Sequence, residues 1–460
     1  MARPKPKITH LGGEHCVTGS CHLLRVSDLN IMVDCGLSQG GDPALPIGQW
    51  PVSPVELDYL FLTHAHIDHI GRLPELIDNG FAGEILCSHP TKALLEPMLH
   101  DAMGFSGYDD AGKKAILQHI DELSWGFEYG QAFKLKKGVT FSLGRAGHIL
   151  GSCFIRFEIA HPEDGKPFSV MFSGDLGNRN TPLLCDPDPP PSCDLLILES
   201  TYGDRNHENR RHRLAHLEDA LAKALWDKGK VLIPAFALGR TQEILYELDR
   251  VFATPSFRAR LERAGIHELP VIVDSPLGLR LTEVYGSQRE FWDREARELL
   301  RRGDDPIDFQ GLYACHRYRD HLQLLQHPGP LIIIAGSGMC TGGRILDHLA
   351  AGLADPRTDI LFVGYQAHHT LGRKIVEQSG RPNGTVTIDG RNVPVRAAVQ
   401  VLSGYSAHAD QQGLLDWVAA MPERPGGIKL VHGEEEARRV LGEKFRAQGY
   451  ACIVDGAAPR

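Results

Sequence analysis

The sequence predicts an α/β protein in which one α/β domain is interrupted by a second, inserted α/β domain. Two observations support this fold class. In the middle of the chain, helical segments alternate with short apolar runs, which is typical of parallel α/β units. Both ends of the chain are instead rich in short strand patterns separated by turns. We therefore expect residues 1–204 and 393–460 to form one domain and residues 205–392 to form the other.

The strands of the first domain are predicted by short apolar runs, most of which end in a polar residue. These runs are Leu29–Asp34, Leu57–Thr63, Phe154–Ile159, Val170–Ser173 and Leu195–Glu199. A helical spacing of apolar residues over Ile67–Gly80 predicts one helix, which ends at the Asn79-Gly80 signal. After the insertion, Val393–Ser403 and Ile428–Val431 are predicted strands that flank a helix over Asp410–Ala420.

The inserted domain shows the clearest alternation of helices and strands. Its predicted helices are Leu214–Lys228, Thr241–Phe252 and Thr282–Arg302. Its predicted strands are Val231–Pro234, Pro270–Asp274, Leu331–Ala335 and Ile360–Gly364. Because helical segments alternate with apolar runs, we expect a parallel sheet.

Composition excludes several classes of protein. The 460 residues are 42% hydrophobic and 23% charged, which is typical of a globular protein and not of a disordered one. No apolar run approaches the ~18–20 residues of a membrane span, and the N-terminus lacks a secretory signal, so we expect a cytoplasmic protein. The ten cysteines form no Cys-x-x-Cys pair and are predicted to be reduced thiols. A net charge of −9 means that any nucleic-acid binding must use a local basic surface.

The strongest chemical signal is the segment Thr63–His69, with the sequence THAHIDH. Successive residues of extended chain point in opposite directions, so His64 and His66 can share one side of it. The helical turn that follows directs Asp68 and His69 toward a neighbouring point. One loop can therefore serve two ions, and imidazole with carboxylate and no thiolate suits Zn²⁺, with Mn²⁺ as the alternative.

One loop cannot complete two coordination shells, so further ligands must come from elsewhere. His148 lies between glycines in a segment that joins two predicted strands. Asp175 follows an apolar run, at a point where a carboxylate can bridge two cations. Either residue alone is more typical of a turn, but both follow the histidine loop in the chain.

These motifs resemble those of the metallo-β-lactamase fold: the His-x-His-x-Asp-His loop, then Gly-His148, then Ser-Gly-Asp175, all preceded by Asp34. Three further stretches resemble its β-CASP branch, namely Leu198–Asp204, Tyr405–Asp410 and Leu430–Glu434. That branch contains nucleases that process nucleic acids, including the endonuclease subunit of the eukaryotic pre-mRNA 3′-end machinery and ribonucleases of bacteria and archaea. The resemblance covers nearly the whole chain.

The resemblance implies an αββα sandwich with an inserted β-CASP domain, and it implies a set of ligands. One zinc ion would be held by His64, His66 and His148, and a second by Asp68, His69 and His432, with Asp175 bridging them. Asp34 would accept a hydrogen bond that orients the histidine loop. Glu199 would pair with His408, which would face the leaving group. Asp34, Asp68, Glu199 and His408 thus form the expected catalytic set, and only the resemblance distinguishes His432 from a turn histidine.

The implied activity is that of a zinc-dependent ribonuclease acting on single-stranded RNA in RNA processing or decay. A hydroxide bridging the metals would attack the phosphodiester and leave 5′-phosphate and 3′-hydroxyl ends. RNA is favoured because DNA-specific members of the branch tend to lack a histidine at the position of His432. Endonuclease and 5′→3′ exonuclease action both stay open, and dimers are common in the family, so a homodimer is a further expectation.

Three alternatives remain at this stage. A small-substrate metallohydrolase that cleaves a lactam or thioester would not need the Glu199–His408 pair or the inserted domain. A DNA nuclease of the same fold is the second alternative. A scaffold that has lost its catalysis is the third, although every ligand position is filled here.

Two segments of the inserted domain are candidate contacts for RNA phosphates. Arg240 follows a strand and opens a helix, where backbone amides and a guanidinium can hold a phosphate. Ser337 and Gly338 belong to a glycine-rich loop after another strand. That loop can be a backbone cradle for phosphates; its spacing fits a dinucleotide site poorly.

Overall fold

The computed structural model describes residues 6–26, 28–105, 107–160, 166–207, 210–364, 366–367 and 369–453. The chain divides into two compact units: a first unit of residues 1–206 and 408–460, and a second unit of residues 207–407. The first boundary lies close to the predicted one. The second lies later than residue 393, because strand Ala398–Val401 pairs with Asp359–Phe362 in the sheet of the second unit.

The first unit contains two sheets. The first sheet has six strands, in the order Lys7–Gly12, Cys21–Val26, Leu29–Val33, Tyr59–Phe61, Glu84–Ser88 and Ser124–Phe127. The second sheet has seven strands, in the order Cys452–Ile453, Gly427–Val431, Leu195–Glu199, Phe168–Phe172, Cys153–Ile159, Val139–Arg145 and Ala132–Lys134. Gly427–Val431 runs parallel to Leu195–Glu199, so the returning chain completes this sheet.

The core of the first unit lies between its two sheets. Phe61 of the first sheet makes edge-to-face contacts with Phe141 and Phe157 of the second, with ring centroids 4.8 Å apart in each pair. The other face of the second sheet packs against the two C-terminal helices, Gln411–Ala419 and Glu435–Ala447. The remaining helices of the unit are Ile67–Ile70, Leu73–Asp78, His89–Ala102 and Asp110–Leu123. The αββα sandwich is confirmed.

The second unit is built on a six-stranded parallel sheet. Its strand order is Leu312–Ala314, Val271–Val273, Leu331–Ala335, Lys230–Pro234, Asp359–Phe362 and Ala398–Val401. Its helices are Arg213–Ala224, Arg240–Ala253, Pro255–Arg263, Pro276–Ser287, Arg294–Arg301, Tyr318–Gln326, Ile345–Gly352 and Leu371–Gln378. An antiparallel hairpin of Thr385–Ile388 and Arg391–Pro394 forms a separate two-stranded sheet and packs into the same core.

Three predicted elements are divided in the structure. Ile67–Gly80 forms two helices, because Pro74 has no N–H to donate to the carbonyl of Ile70. Thr282–Arg302 spans parts of two helices, and the second starts where the Asp293 side chain accepts from the Ala296 amide at 2.7 Å. Val393–Ser403 overlaps two strands that belong to different sheets.

All ten cysteines are free, as expected of reduced thiols. Within the described ranges, no helix combines the length and the apolar character that a membrane crossing requires.

Candidate metal centre

The histidine loop follows the buried strand Tyr59–Phe61 and leads into the short helix Ile67–Ile70. His64 and His66 lie on the extended part, and Asp68 and His69 lie in the first turn of the helix. The chain thus changes from extended to helical within the motif, which separates its donors into two pairs as the spacing predicted.

The first donor group consists of three ring nitrogens and one carboxylate oxygen. His66 Nδ1 lies 3.1 Å from both His64 Nε2 and His148 Nε2. Asp175 Oδ2 lies 3.6 Å from His64 Nε2 and 3.7 Å from His148 Nε2. Four tetrahedral ligands at 2.0–2.1 Å from a zinc ion are about 3.3–3.4 Å apart, so these spacings fit one cation.

The second donor group lies on the other side of Asp175. His69 Nε2 lies 3.3 Å from His432 Nε2, and Asp68 Oδ2 lies 3.9 and 3.6 Å from these two nitrogens. Asp175 Oδ1 is 3.4 Å from His69 Nε2. One oxygen of Asp175 therefore faces each group, which is the arrangement a bridging carboxylate needs.

An unsatisfied acceptor supports the fit of a cation. Asp175 Oδ1 is buried and accepts no hydrogen bond from any described residue. A buried carboxylate oxygen without a donor is costly unless a positive charge lies beside it. The donor atoms are nitrogen and oxygen alone, the set that zinc accepts in catalytic sites.

Burial keeps the first group of imidazoles neutral. It lowers the pKa of His66 to about 4, and it lowers the pKa of His64 and His148 well below the usual range, with neighbouring histidines adding to the effect on His64 and His148. Neutral imidazole is the form that binds metals, so these side chains are ready to act as ligands without losing a proton.

Asp34 orients His69 of the second donor group through the ring nitrogen that faces away from that group. Its carboxylate, which is buried, accepts from His69 Nδ1 at 2.7 Å and from the Thr63 amide at 2.8 Å. With Nδ1 donating to Asp34, His69 turns Nε2 toward the donor group. Burial lowers the pKa of His69, but Asp175 and Asp34 outweigh it and hold that pKa well above the usual range.

His432 is fixed by its backbone and by Thr201. It adopts a φ of 49°, in the left-handed region that non-glycine residues rarely occupy. Its amide donates to the carbonyl of Gly13 at 2.7 Å. Thr201 Oγ1 lies 3.1 Å from Nδ1, which leaves Nε2 for the donor group.

Glu199 and His408 form a pair beside the donor groups. His408 Nδ1 lies 3.2 Å from Glu199 Oε1 and 3.9 Å from Asp175 Oδ2. Glu199 is itself fixed by the amides of Leu176 and Thr201, at 2.8 and 3.0 Å. Burial alone lowers the pKa of His408, but Glu199 and Asp175 outweigh it and raise that pKa to about 9.

Comparison with known protein families assigns the chain in three parts. Residues 16–149 match the metallo-beta-lactamase superfamily, residues 241–375 match the Beta-Casp domain, and residues 392–454 match the Zn-dependent metallo-hydrolase RNA specificity domain. The chain is 38% identical to Ribonuclease TTHA0252 of Thermus thermophilus over 96% of both proteins. The chain belongs to the β-CASP family of metallo-β-lactamase-fold hydrolases.

Other relatives of this β-CASP protein are longer. Transcription termination factor FttA of Methanosarcina mazei is 30% identical over 94% of this chain and 67% of its own length. Cleavage and polyadenylation specificity factor 73 of Drosophila melanogaster is 30% identical over 93% of this chain and 60% of its own length. A crystal structure of a protein of unknown function from Enterococcus faecalis V583 matches over 98% of both chains, with a TM-score of 0.56 and 12% identity, and it shows a shared fold alone.

The three expected phosphate contacts of the β-CASP protein lie in the second unit. Arg240 opens helix Arg240–Ala253, where it is buried and ion-paired with Glu243. Ser337 Oγ accepts from the Thr341 amide at 2.8 Å and closes the glycine-rich loop. Gly338 packs against Phe236, and a Cβ there would lie 2.8 Å from the ring. Phosphate binding at these residues stays a prediction.

Sequence reasoning missed two features of this β-CASP protein. The first is the contact of two threonine hydroxyl groups with donor side chains: Thr63 Oγ1 lies 3.1 Å from His64 Nδ1, and Thr201 Oγ1 lies 3.1 Å from His432 Nδ1. Both threonines lie inside the motif segments, which was the signal that the sequence offered. The second feature is a buried cluster of Asp274, His321 and His348 in the second unit. Its members come from three separate segments, so no local spacing reveals it.

Proposed function

We propose that this β-CASP protein is a zinc-dependent ribonuclease that hydrolyses phosphodiester bonds of single-stranded RNA and leaves 5′-phosphate and 3′-hydroxyl ends. The observation that carries the proposal is the pair of donor groups that share Asp175, with the Glu199–His408 pair beside them. The names of two relatives support it, since one is a ribonuclease and the other a cleavage factor. The match to an RNA specificity domain, which includes His432, supports RNA over DNA.

The proposed ligands follow from the two donor groups. His64, His66 and His148 would hold one zinc ion, Asp68, His69 and His432 would hold the other, and Asp175 would contact both. When bound, the two ions would lower the pKa of water to about 7 and neutralise charge that develops on the phosphoryl oxygens. Mn²⁺ is the alternative occupant, since it also accepts nitrogen and oxygen donors.

His408 is the proposed general acid. Its Nδ1–H points to Glu199, so the second ring nitrogen can carry the proton that the reaction uses. Glu199 keeps the ring protonated against the positive charge of nearby cations. Water loses one proton to the solvent as its oxygen adds to phosphorus, and as the P–O3′ bond breaks His408 donates its proton to the departing 3′-oxygen; a proton from the solvent then restores the protonated His408. The phosphate then stays on the 5′ end of the downstream fragment.

Contacts to the RNA chain are a second part of the proposal. Arg240, Ser337 and Gly338 follow two strands of the parallel sheet in the second unit, at the carboxyl ends of those strands. Open α/β sheets bind their ligands at the carboxyl ends of their strands. Arg240 would have to exchange Glu243 for a phosphate, whereas the loop at Ser337 offers backbone amides.

We also propose a cytoplasmic location, which is supported by ten free cysteines, since free thiols persist in reducing compartments. A homodimer stays a prediction, and light scattering of the purified chain would test it.

Cleavage of labelled single-stranded RNA by zinc-loaded protein tests the proposal. We expect RNA to be cut to 5′-phosphate products, with matching DNA spared, and the ladder of product sizes distinguishes endonuclease from exonuclease action. His408→Ala should lower the rate by roughly 10²–10⁴-fold at unchanged zinc content, because it removes a general acid. His119→Ala, which removes an exposed histidine from helix Asp110–Leu123, is the matched control and should leave the rate unchanged.

Two outcomes contradict the proposal. Intact RNA together with hydrolysis of a lactam or thioester would identify a small-substrate metallohydrolase. Equal cleavage of DNA and RNA would remove the substrate assignment while preserving the phosphodiesterase chemistry.

A further inference from the structure

The second unit contains a buried polar network that the proposed reaction does not use. Asp274 directly follows strand Val271–Val273. Its Oδ2 accepts from His321 Nδ1 and from His348 Nε2, both at 2.6 Å, and its Oδ1 accepts from Arg344 Nη1 at 2.7 Å. All four side chains are buried or nearly so.

The spacing of this network is that of hydrogen bonds. The two imidazole nitrogens lie 2.6 Å from one oxygen, which is closer than the edge of about 3.3–3.4 Å between tetrahedral zinc ligands. Both oxygens of Asp274 already have donors, unlike Asp175. The network therefore holds segments of the chain together.

The network fixes the loop that follows the edge strand Leu312–Ala314. Arg344 donates to the carbonyl of Cys315 at 3.0 Å and to the carbonyl of His316 at 3.1 Å. The His321 ring, held by Asp274 on one side, lies against the ring of Tyr318 with centroids 5.3 Å apart and planes tilted by 33°. Tyr318 is thus supported on one face, yet 60% of it is exposed.

Positive charge flanks this exposed ring. Arg319 is 74% exposed and lies 3.4 Å from the Asp320 carboxylate. Arg317 is exposed as well and forms no ion pair with any described residue, so its charge is available to a ligand. The segment follows the carboxyl end of its strand. Open α/β sheets bind their ligands at the carboxyl ends of their strands.

We propose that Arg317–Arg319 is a binding site for single-stranded RNA, in which Tyr318 stacks on a base and Arg317 contacts a phosphate. The buried network around Asp274 positions the Tyr318 ring. An aromatic ring between guanidinium groups is a recurring means of holding single strands without sequence preference. This inference rests on the proposed ribonuclease function and extends it, because it names a place where the RNA is held.

The test measures fluorescence anisotropy of the full zinc-loaded chain with a phosphorothioate single-stranded RNA that resists cleavage. Tyr318→Ala should weaken binding by about 5- to 150-fold, the range of one base–aromatic stack, whereas Tyr318→Phe should bind like the wild type. An abasic strand with the same number of phosphates should show no effect of Tyr318→Ala. Arg317→Gln should weaken binding to both strands and reduce the salt dependence by about one phosphate contact.

Trp226→Ala is the matched control. Trp226 is an exposed aromatic residue of the same unit that precedes strand Lys230–Pro234, so it lies at the amino end of the sheet. Its replacement should leave RNA affinity unchanged. In steady-state cleavage, Tyr318→Ala should raise KM for RNA with a smaller effect on kcat.

Each remaining outcome is decisive. If Tyr318→Ala binds and cleaves RNA like the wild type, the inference is wrong and the ribonuclease function stands. If the wild type neither binds nor cleaves RNA, the proposed function and this inference are both wrong. If Tyr318→Ala changes only the mass measured by light scattering, the segment is a protein interface. If Tyr318→Ala weakens binding to the abasic strand as much as binding to the intact strand, Tyr318 does not stack on bases.

Discussion

Each unit buries a cluster of histidines around an aspartate, and the two clusters differ in how far apart their polar atoms lie. Around Asp175, the facing nitrogen and oxygen atoms are 3.1–3.9 Å apart, and Oδ1 of Asp175 has no donor among the described residues. Around Asp274, the contacts are 2.6–2.7 Å and both carboxylate oxygens accept hydrogen bonds.

This difference shows that residue types alone do not identify a metal site. A cation must fit between its ligands and keeps them more than 3 Å apart, whereas a shared hydrogen atom draws two heavy atoms to below 3 Å. The first cluster is therefore spaced for cations, and the second is a hydrogen-bond network in which His321 Nε2 also lies 3.1 Å from Asp347 Oδ2.

The largest effect should follow from removing the carboxylate charge of Asp175. Asp175→Asn keeps the size of the side chain but loses the charge that faces both donor groups. We expect fewer than two zinc ions per chain by elemental analysis, and RNA cleavage lowered by roughly 10³-fold, because metal charge stabilisation is worth several kcal/mol. Full zinc content with full activity would contradict the assignment of a bridging role.

The matching change in the second unit should affect stability instead. Asp274→Asn leaves the largely buried Arg344 without the negative charge that it pairs with, and breaking a buried ion pair in this way costs about 3–5 kcal/mol in the free energy of unfolding. Urea denaturation measures this loss, and the zinc content should stay at the wild-type value. A fall in zinc content would show that the second cluster also binds metal.

The smallest effect concerns pH. Burial opposes ionisation of Asp274, but hydrogen bonds from His348, His321 and Arg344 outweigh it and hold the pKa of this carboxyl well below the usual range. As the pH falls, the carboxyl of Asp274 is therefore protonated at a higher pH in the unfolded chain than in the folded chain. The stability that Asp274 contributes is present above about pH 4 and is lost as the pH falls below that value. The difference in unfolding free energy between wild type and Asp274→Asn should shrink over this range, and a constant difference would contradict the account.

Much of the fold is encoded in local patterns. The parallel sheet of the second unit follows from buried runs such as Leu331–Ala335, and the αββα layers follow from the motifs that the chain shares with its family. The division of the predicted helix Ile67–Gly80 into two helices has a local cause that the sequence analysis missed, because Pro74 has no N–H to donate. The later return of the chain to the first unit depends on the pairing of Ala398–Val401 with Asp359–Phe362, which is a contact in space rather than a pattern in sequence.

In the candidate site too, some residues are evident from a local motif and others are brought together only by contacts in space. His64, His66, Asp68 and His69 are recognisable because four donors fall within one loop. His432 lies far from them in sequence, and only the resemblance to the β-CASP branch pointed to it. The members of the cluster around Asp274 lie far apart in the sequence, so only packing brings His321 and His348 to it.

The most direct test of two cation sites around Asp175 is anomalous diffraction at the zinc edge from crystals grown with zinc. We expect two peaks, one on each side of Asp175, and none beside Asp274. A single peak or none at Asp175, or a peak between His321 and His348, would contradict this expectation.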